Sequence, residues 1–586
     1  MTAPSIGVIL IATSKMTFGM KWMVTCACLA LAFLPARAGI PENWQDKVDA
    51  RLLQGAPATN EFLVILSEQA DLSGAAALKT KEAKGRYVFE HLKEVAQRTQ
   101  PPLLKTLQDQ HLDYQPFWVA NMIRVRGDSH AVQSLAQRTD TARILANASV
   151  RAPEIPSASV SPRLTTSVEW NVSQIHAPDV WALGYTGQGV VVGGQDTGYQ
   201  WDHPALINHY RGWDGTNANH NYNWHDAIHG PNPNNTGDNP CGYNLTAPCD
   251  DWSHGTHTMG TMVGDDGAGN QIGVAPGAKW IGCRNMERNW GTPASYLECF
   301  QWFLAPTDLN DQNPDPAKAP DVINNSWYSD ASEGTTNLLV FQSAVEALRA
   351  AGVVVVVSAG NEGSGCSTIT SPAIYEASFA VGATDSSDDI AFFSSRGPVT
   401  VDGSNRLKPD VSAPGVNIRS SVPVNSYASG WSGTSMAGPH VVGVVALLIS
   451  AHPELRGQVD TIEHIIENSA VPRTDSQSCG DVPGTDIPNN IYGWGRVDAL
   501  AALNFCDTNY LHITSITVGT NCVLSFPSVL NCLYSLESRT NLAVGSWTAV
   551  AGQVDIAGNA GLLELTETNP PSDTARFYRV QVRIAP

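Results

Sequence analysis

Gly433-Thr434-Ser435-Met436-Ala437-Gly438-Pro439-His440 runs straight into an apolar stretch, residues 441–449. Together they read as a buried helix entered at its N-terminus, with Ser435 at the entrance. A helix start leaves backbone N–H groups unpaired and carries the positive end of the helix dipole, so a hydroxyl there stands beside a natural anion site. Serine is also a common helix cap, and two readings stay open on this octapeptide: an N-cap, or a nucleophile whose oxyanion the helix stabilises.

A serine nucleophile needs a base within hydrogen-bond reach, a group that orients the base, and donors aimed at the oxyanion. Candidates lie at the ends of apolar runs. Asp196 closes Val191-Val192-Gly193-Gly194-Gln195-Asp196-Thr197-Gly198, and Asn361 follows the strand-like residues 353–357 in Ser358-Ala359-Gly360-Asn361-Glu362-Gly363. His254-Gly255-Thr256-His257 places two histidines on one side of a predicted helix, and spacing alone leaves open which is the base. A zinc reading is weak, because HxxH lacks the glutamate of the metalloprotease helix.

Strands are predicted at residues 189–194, 279–283, 322–325, 353–357 and 379–383. Helical patterns fall between them at 255–263, 293–304, 338–351 and 437–451. Strands alternating with helices imply an α/β domain around a mainly parallel sheet, with its site at the strands' carboxyl ends.

The blocks around Asp196, His254, Asn361 and Ser435, in that chain order, resemble those of subtilisin-like serine proteases, the subtilases. The resemblance covers residues 168–503 and is nearest the bacillopeptidase F group in its insertions and in residues 283–306. It implies a subtilisin-like three-layer fold. It makes Ser435 the nucleophile, His254 the general base and acid, Asp196 the orienting carboxylate, Asn361 an oxyanion donor and His257 a packing residue. Substrate would lie as an added strand between Asn324-Asn325-Ser326-Trp327 and Ser358-Ala359-Gly360. Trp327 and Tyr328 depart from the family's small residues there, so they are expected to reshape the substrate pockets. His203-Pro204-Ala205-Leu206 lacks the aspartate that binds calcium in subtilisin. No metal ligand is assigned, no cofactor is required for the chemistry, and structural calcium is left open. Asp265 and Asp266 are read as a solvated turn, and His220, His225 and His229 as a structured loop at the cleft rim.

The chain's 586 residues exceed one compact core, and a net charge of -20 leaves no basic surface for nucleic acid. Lys15 and Lys21, the apolar residues 23–34 and Ala36-Arg37-Ala38 predict a signal peptide over 1–38, too short to span a bilayer. Met16 and Met20 are alternative starts, and no later segment is read as long enough for a membrane helix. Export permits disulfides among the nine cysteines that follow the signal. Local spacing favours Cys241 with Cys249, Cys283 with Cys299 and Cys522 with Cys532, leaving Cys366, Cys479 and Cys506 to be shared out.

Residues 39–165 are expected to hold a small α+β unit and a processing linker. Its strands are read at 62–66, 121–126 and 142–145, a helical stretch at 79–108 and a helix at 131–137, and the linker is Pro- and Ser-rich over 151–166. The resemblance makes this unit a propeptide that chaperones and inhibits the enzyme. Residues 166–506 form the peptidase domain, and 507–586 a small β-sandwich-like domain whose role, attachment, substrate capture or stabilisation, stays open. The expected protein is a monomeric serine endopeptidase, secreted or periplasmic, made as a zymogen and acting on extracellular proteins and peptides. An inactive scaffold and an esterase or peptide-ligating transferase are the rival readings.

Overall fold

Valine-rich runs with no polar face form the centre of the largest sheet. All seven strands are parallel, in the order Trp224–Asp226, Lys279–Arg284, Val191–Asp196, Val322–Asn325, Val354–Ser358, Phe379–Thr384 and Val411–Pro414. Every residue of Val354–Ser358 is buried, as a parallel strand covered on both faces requires. The computed structural model describes residues 12–13, 43–53, 60–151, 159–160, 167–329, 340–505, 511, 513–528, 532–541, 546–559, 561–570 and 576–584.

The five central strands agree with the sequence reading to within two residues at each end. The two edge strands, Trp224–Asp226 and Val411–Pro414, were not anticipated. One is three residues long with two polar side chains and the other ends in proline. Edge strands tolerate both, and neither leaves an apolar run to find.

Helices His254–Val263, Pro293–Leu304, Gln342–Ala350 and Thr434–Ala451 connect and cover the strands. The last is long and apolar enough to cross a membrane, contrary to expectation. It is a core helix instead, with 94% of its apolar window buried and packed against five strands of the sheet.

The chain divides into two compact units, Asn43–Leu503 and a second that holds Asn504–Pro586. Within the first, a four-stranded antiparallel sheet runs in the order Asp113–Phe117, Met122–Gly127, Asn60–Leu66, Thr141–Ala146. Phe62, Val64, Leu103, Leu107, Ile123, Val125 and Ile144 make its core. The helical stretch read over 79–108 is two helices, Lys81–Thr99 and Pro101–Asp109. Pro101-Pro102 cannot donate to the preceding turn, so the helix restarts with proline in its first turn. The sheet's other side joins Tyr296, Phe300, Phe303, Phe341 and Leu348 in one apolar cluster, which lays this layer on helices Pro293–Leu304 and Gln342–Ala350. Most of the predicted processing linker, and the predicted signal apart from residues 12–13, lie outside the described residues.

The second unit has two antiparallel sheets. One is Ser515–Val518, Asn521–Pro527 and Leu562–Thr568, and the other is built on Cys532–Arg539 and Arg576–Ile584. Burial alternates along Cys532–Arg539, the period-two pattern of a strand with one face on a core.

Disulfides join Cys241 to Cys249, Cys283 to Cys299 and Cys366 to Cys479. The pairing of Cys522 with Cys532 is wrong. Cys522 is free and buried, while Cys532 is disulfide-bonded to another cysteine. The two stand on strands of different sheets, Asn521–Pro527 and Cys532–Arg539, so nearness in sequence did not imply nearness in space. Cys506 lies outside the described residues.

Candidate active site

Asp196 is the last residue of its strand and is fully buried. It therefore sits at the sheet's carboxyl edge, on one of the two strands between which the strand order reverses. His254 is the first residue of its helix and is 3% exposed. Its Nδ1 lies 2.7 and 2.9 Å from the two Asp196 oxygens. An ionised carboxylate only accepts, so Nδ1 carries the proton and Nε2 keeps its lone pair. Asp196 also accepts from the Thr197 amide at 2.7 Å and from the Thr258 hydroxyl at 3.4 Å. Burial would lower the imidazole pKa, but the charge and hydrogen bond of Asp196, with the charge of Asp250, raise it above the ordinary value. Gly255 permits the close fit, because a Cβ there would stand 2.1 Å from the Gly198 carbonyl.

Ser435 is the second residue of helix Thr434–Ala451 and is 5% exposed. The cap is Gly433, with no side-chain capping bond, so the N-cap reading of Ser435 fails. Its hydroxyl donates to the Ser326 carbonyl at 3.2 Å. In return, the Ser326 hydroxyl donates to the Ser435 carbonyl at 2.8 Å and accepts from Asn324 Nδ2 at 2.8 Å. Asn361 Oδ1 accepts from both the amide and the hydroxyl of Thr434, each at 2.9 Å, which leaves Nδ2 as the amide's donor.

Trp327 is fully buried, stacked on Tyr296 with ring centroids 4.0 Å apart and planes 3° from parallel, and edge-on to Phe341. The ring thus fills space behind its strand. The Tyr328 hydroxyl instead reaches across to Glu362 Oε1 at 2.6 Å, linking the two chain segments read as substrate walls. Ser358 and Ala359 are buried, and the Ala359 and Gly360 amides are bound to Val381 and Thr434.

His257 stacks flat on Trp431, at 4.2 Å and 3°, and neither ring nitrogen has a hydrogen-bond partner. Burial pushes its pKa well below the ordinary value, so it is neutral. The loop histidines separate. His220 bonds Tyr210, whereas His225 and His229 converge on Glu298 at 2.8 and 2.9 Å. Gln115 of the antiparallel layer donates to the same carboxylate at 2.6 Å. Asp266 is engaged by Ala268 and Asn270 of its own loop and by the Tyr427 hydroxyl of the strand Ser426–Trp431. Among the described residues, no group of three or more His, Cys, Asp or Glu is arranged to hold a metal ion.

Two neighbours were missed by the sequence reading. Trp431 packs on the His257 ring and stacks 6.5 Å from that of His254. Asp250 accepts five hydrogen bonds around the start of the His254 helix. An aspartate four residues before the histidine was the available signal for the second.

The sequence profile of the Subtilase family matches residues 187–495. The chain belongs to the subtilase family. Bacillopeptidase F of Bacillus subtilis (strain 168) is 41% identical over 447 residues, 73% of this chain and 29% of that protein. Serine protease AprX of the same strain is 37% identical over 280 residues, 43% of this chain and 58% of its own length. Subtilisin E is 32% identical over 312 residues, 52% and 68%. The chain thus spans under a third of bacillopeptidase F and somewhat over half of AprX. The kinship read from the four motifs stands, and the subtilase region is a subtilisin-like serine endopeptidase domain built on the seven-stranded parallel sheet.

Proposed function

We propose that this subtilase is an exported serine endopeptidase, made as a zymogen, that hydrolyses peptide bonds of extracellular proteins through an acyl-enzyme on Ser435. The observation that carries the reading is the buried Asp196–His254 pair at 2.7 Å, on a helix that packs against the Ser435 helix. In this mechanism the Ser435 hydroxyl leaves the Ser326 carbonyl and donates to His254 Nε2, which takes the proton as Oγ attacks the scissile carbonyl. Asp196 stabilises the imidazolium, and Asn361 Nδ2 and the Ser435 amide donate to the oxyanion. His254 then protonates the leaving amine, and water repeats the cycle on the acyl-enzyme. A substrate strand held by backbone bonds between residues 324–327 and 358–360 implies tolerance of many sequences.

The amino-terminal layer is the proposed propeptide. Gln301 Oε1 accepts the Trp118 and Val119 amides at 2.7 and 3.3 Å, and Lys81 pairs with buried Asp321 at 2.9 Å. The chain leaving the layer is pinned twice, Val150–Arg151 to Trp290–Gly291 and Ser159–Val160 to the strand that ends at Trp431. The linker read over residues 151–166 is the proposed processing region. Three disulfides support an oxidising destination, and a monomer without a membrane anchor completes the reading.

Expression of the chain beside its Ser435→Ala variant tests this. Casein hydrolysis and a new N-terminus within 151–166 are expected of the parent and neither of the variant. Normal hydrolysis and processing by the variant would overturn the assignment.

A further inference from the structure

The carboxylate of Asp250 takes no part in the proton transfers above, yet it touches both elements that carry them. Oδ1 accepts the Thr197 hydroxyl at 2.8 Å, from the residue that follows Asp196 on the strand. The same oxygen accepts the amides of Trp252 and Ser253 at 3.0 and 2.8 Å, and Oδ2 accepts the Thr256 amide and hydroxyl at 2.9 and 2.6 Å. These donors belong to the end of one element and the first turn of the next.

The helix start needs such a partner. Its cap residue, Ser253, has φ 75° and makes no side-chain capping bond. A left-handed backbone at a non-glycine residue persists only where its surroundings hold it. Behind Asp250, the Cys241–Cys249 disulfide anchors the loop. In front, Gly198 has φ +106°, and a Cβ there would come 1.8 Å from the Cys249 carbonyl. The adjacent carboxylate, Asp251, pairs with buried Arg284, while burial raises the carboxyl of Asp250 above its ordinary value against the hydrogen bonds of Thr256, Trp252 and Thr197 that favour its charged form.

We propose that Asp250 is a positioning residue for hydrolysis: its carboxylate ties the strand end bearing Asp196 to the helix start bearing His254 and sets their register. The proposal rests on the reading of His254 as general base. It assigns Asp250 two separable effects. As a multiple acceptor it holds geometry. As an anion it favours the imidazolium of His254, alongside Asp196 on the strand and against neutral His257 one turn along the helix.

Asp250→Ala removes both effects, whereas Asp250→Asn removes the charge, keeps one accepting oxygen and turns the other into a donor. In the secreted mature enzyme, Asp250→Ala is expected to lower kcat by about 10- to 100-fold with KM nearly unchanged, the scale of a small misplacement of a reacting group. Asp250→Asn keeps one of the two accepting oxygens, so it is expected to lose less of kcat at pH 8 than Asp250→Ala while the acid limb of kcat/KM moves to lower pH, because the imidazolium loses a nearby anion. Thr256→Val is expected to lower kcat alone but to add nothing in the Asp250→Ala background. Thermal midpoints of all variants accompany the kinetics. Full kcat in Asp250→Ala, or an unmoved acid limb in Asp250→Asn, overturns the proposal. An inactive parent, or a His254→Ala variant as active as the parent, overturns instead the functional reading on which it rests.

Discussion

The side-chain oxygen of Asn361 accepts both the amide and the hydroxyl of Thr434, the residue before Ser435. The amide is thereby oriented from the helix of Ser435, the proposed nucleophile, so under that proposal a donor is in place before any charge develops. Asn361→Ala should lower kcat by about 100- to 1,000-fold with little change in KM, the loss that removal of one such donor causes in subtilisin. Steady-state kinetics on a peptide anilide check this. A change confined to KM would show that the amide binds substrate and not the transition state.

Tyr328 holds Glu362, the neighbour of Asn361, across the cleft at 2.6 Å. Tyr328→Phe leaves that carboxylate without its hydroxyl partner. The ratio of kcat/KM for substrates with Lys or Arg before the scissile bond, over those with Leu, should rise about two- to fivefold at low salt. High salt should cancel the gain by screening. An unchanged ratio would place Glu362 outside the reach of that side chain.

The Glu298 cluster predicts a stability profile. His229 is pushed up to about 9, chiefly by its hydrogen bond to Glu298. Burial opposes the same shift in His225, but Asp311 and Glu298 overcome it and hold the pKa at about 10. Histidines raised in the fold contribute stability that is complete below their ordinary 6.5, shrinks as pH rises above it, and is gone past 9 to 10. Glu298 has the opposite sign. Burial would raise its carboxyl, yet the two imidazoles hold it far below the usual range, so its contribution is lost as pH falls. The thermal midpoint of the uncleaved Ser435→Ala chain should fall from pH 7 to pH 10, and a His225→Gln/His229→Gln variant should show a flatter slope over that range.

Two disulfides should separate stability from activity. Cys366–Cys479 spans a sequence separation of 113 and Cys241–Cys249 one of 8. By loop-closure entropy, replacing both cysteines of the long link with serine should cost about 2 kcal/mol more than doing so for the short one. The short link anchors the loop of Asp250, so its loss should lower kcat more. Denaturant melts and turnover, measured on both double variants, give the two orderings.

The parallel sheet was legible because strands buried on both faces must be continuous apolar runs, as at Val354–Ser358. Ser435, His254, Asp196 and Asn361 were legible because each follows or opens such an element at a motif of small residues. His257 was not separable from His254 by spacing. The two imidazoles differ in what surrounds them, a carboxylate for one and an indole face for the other.

By itself, the sequence determined the five central strands, the helices between them and the residues near their ends, since apolar periodicity and turn chemistry are local. Only the tertiary structure decided what meets there. It turned the Trp327 ring into the core and the Tyr328 hydroxyl toward Glu362, gathered two loop histidines on Glu298, left Cys522 unpaired, and brought Asp250 under both Thr197 and Thr256. These contacts join residues brought together by chain crossings and loop closure, and a hydrogen bond or a stacked ring depends on ångström distances that no spacing along the chain encodes.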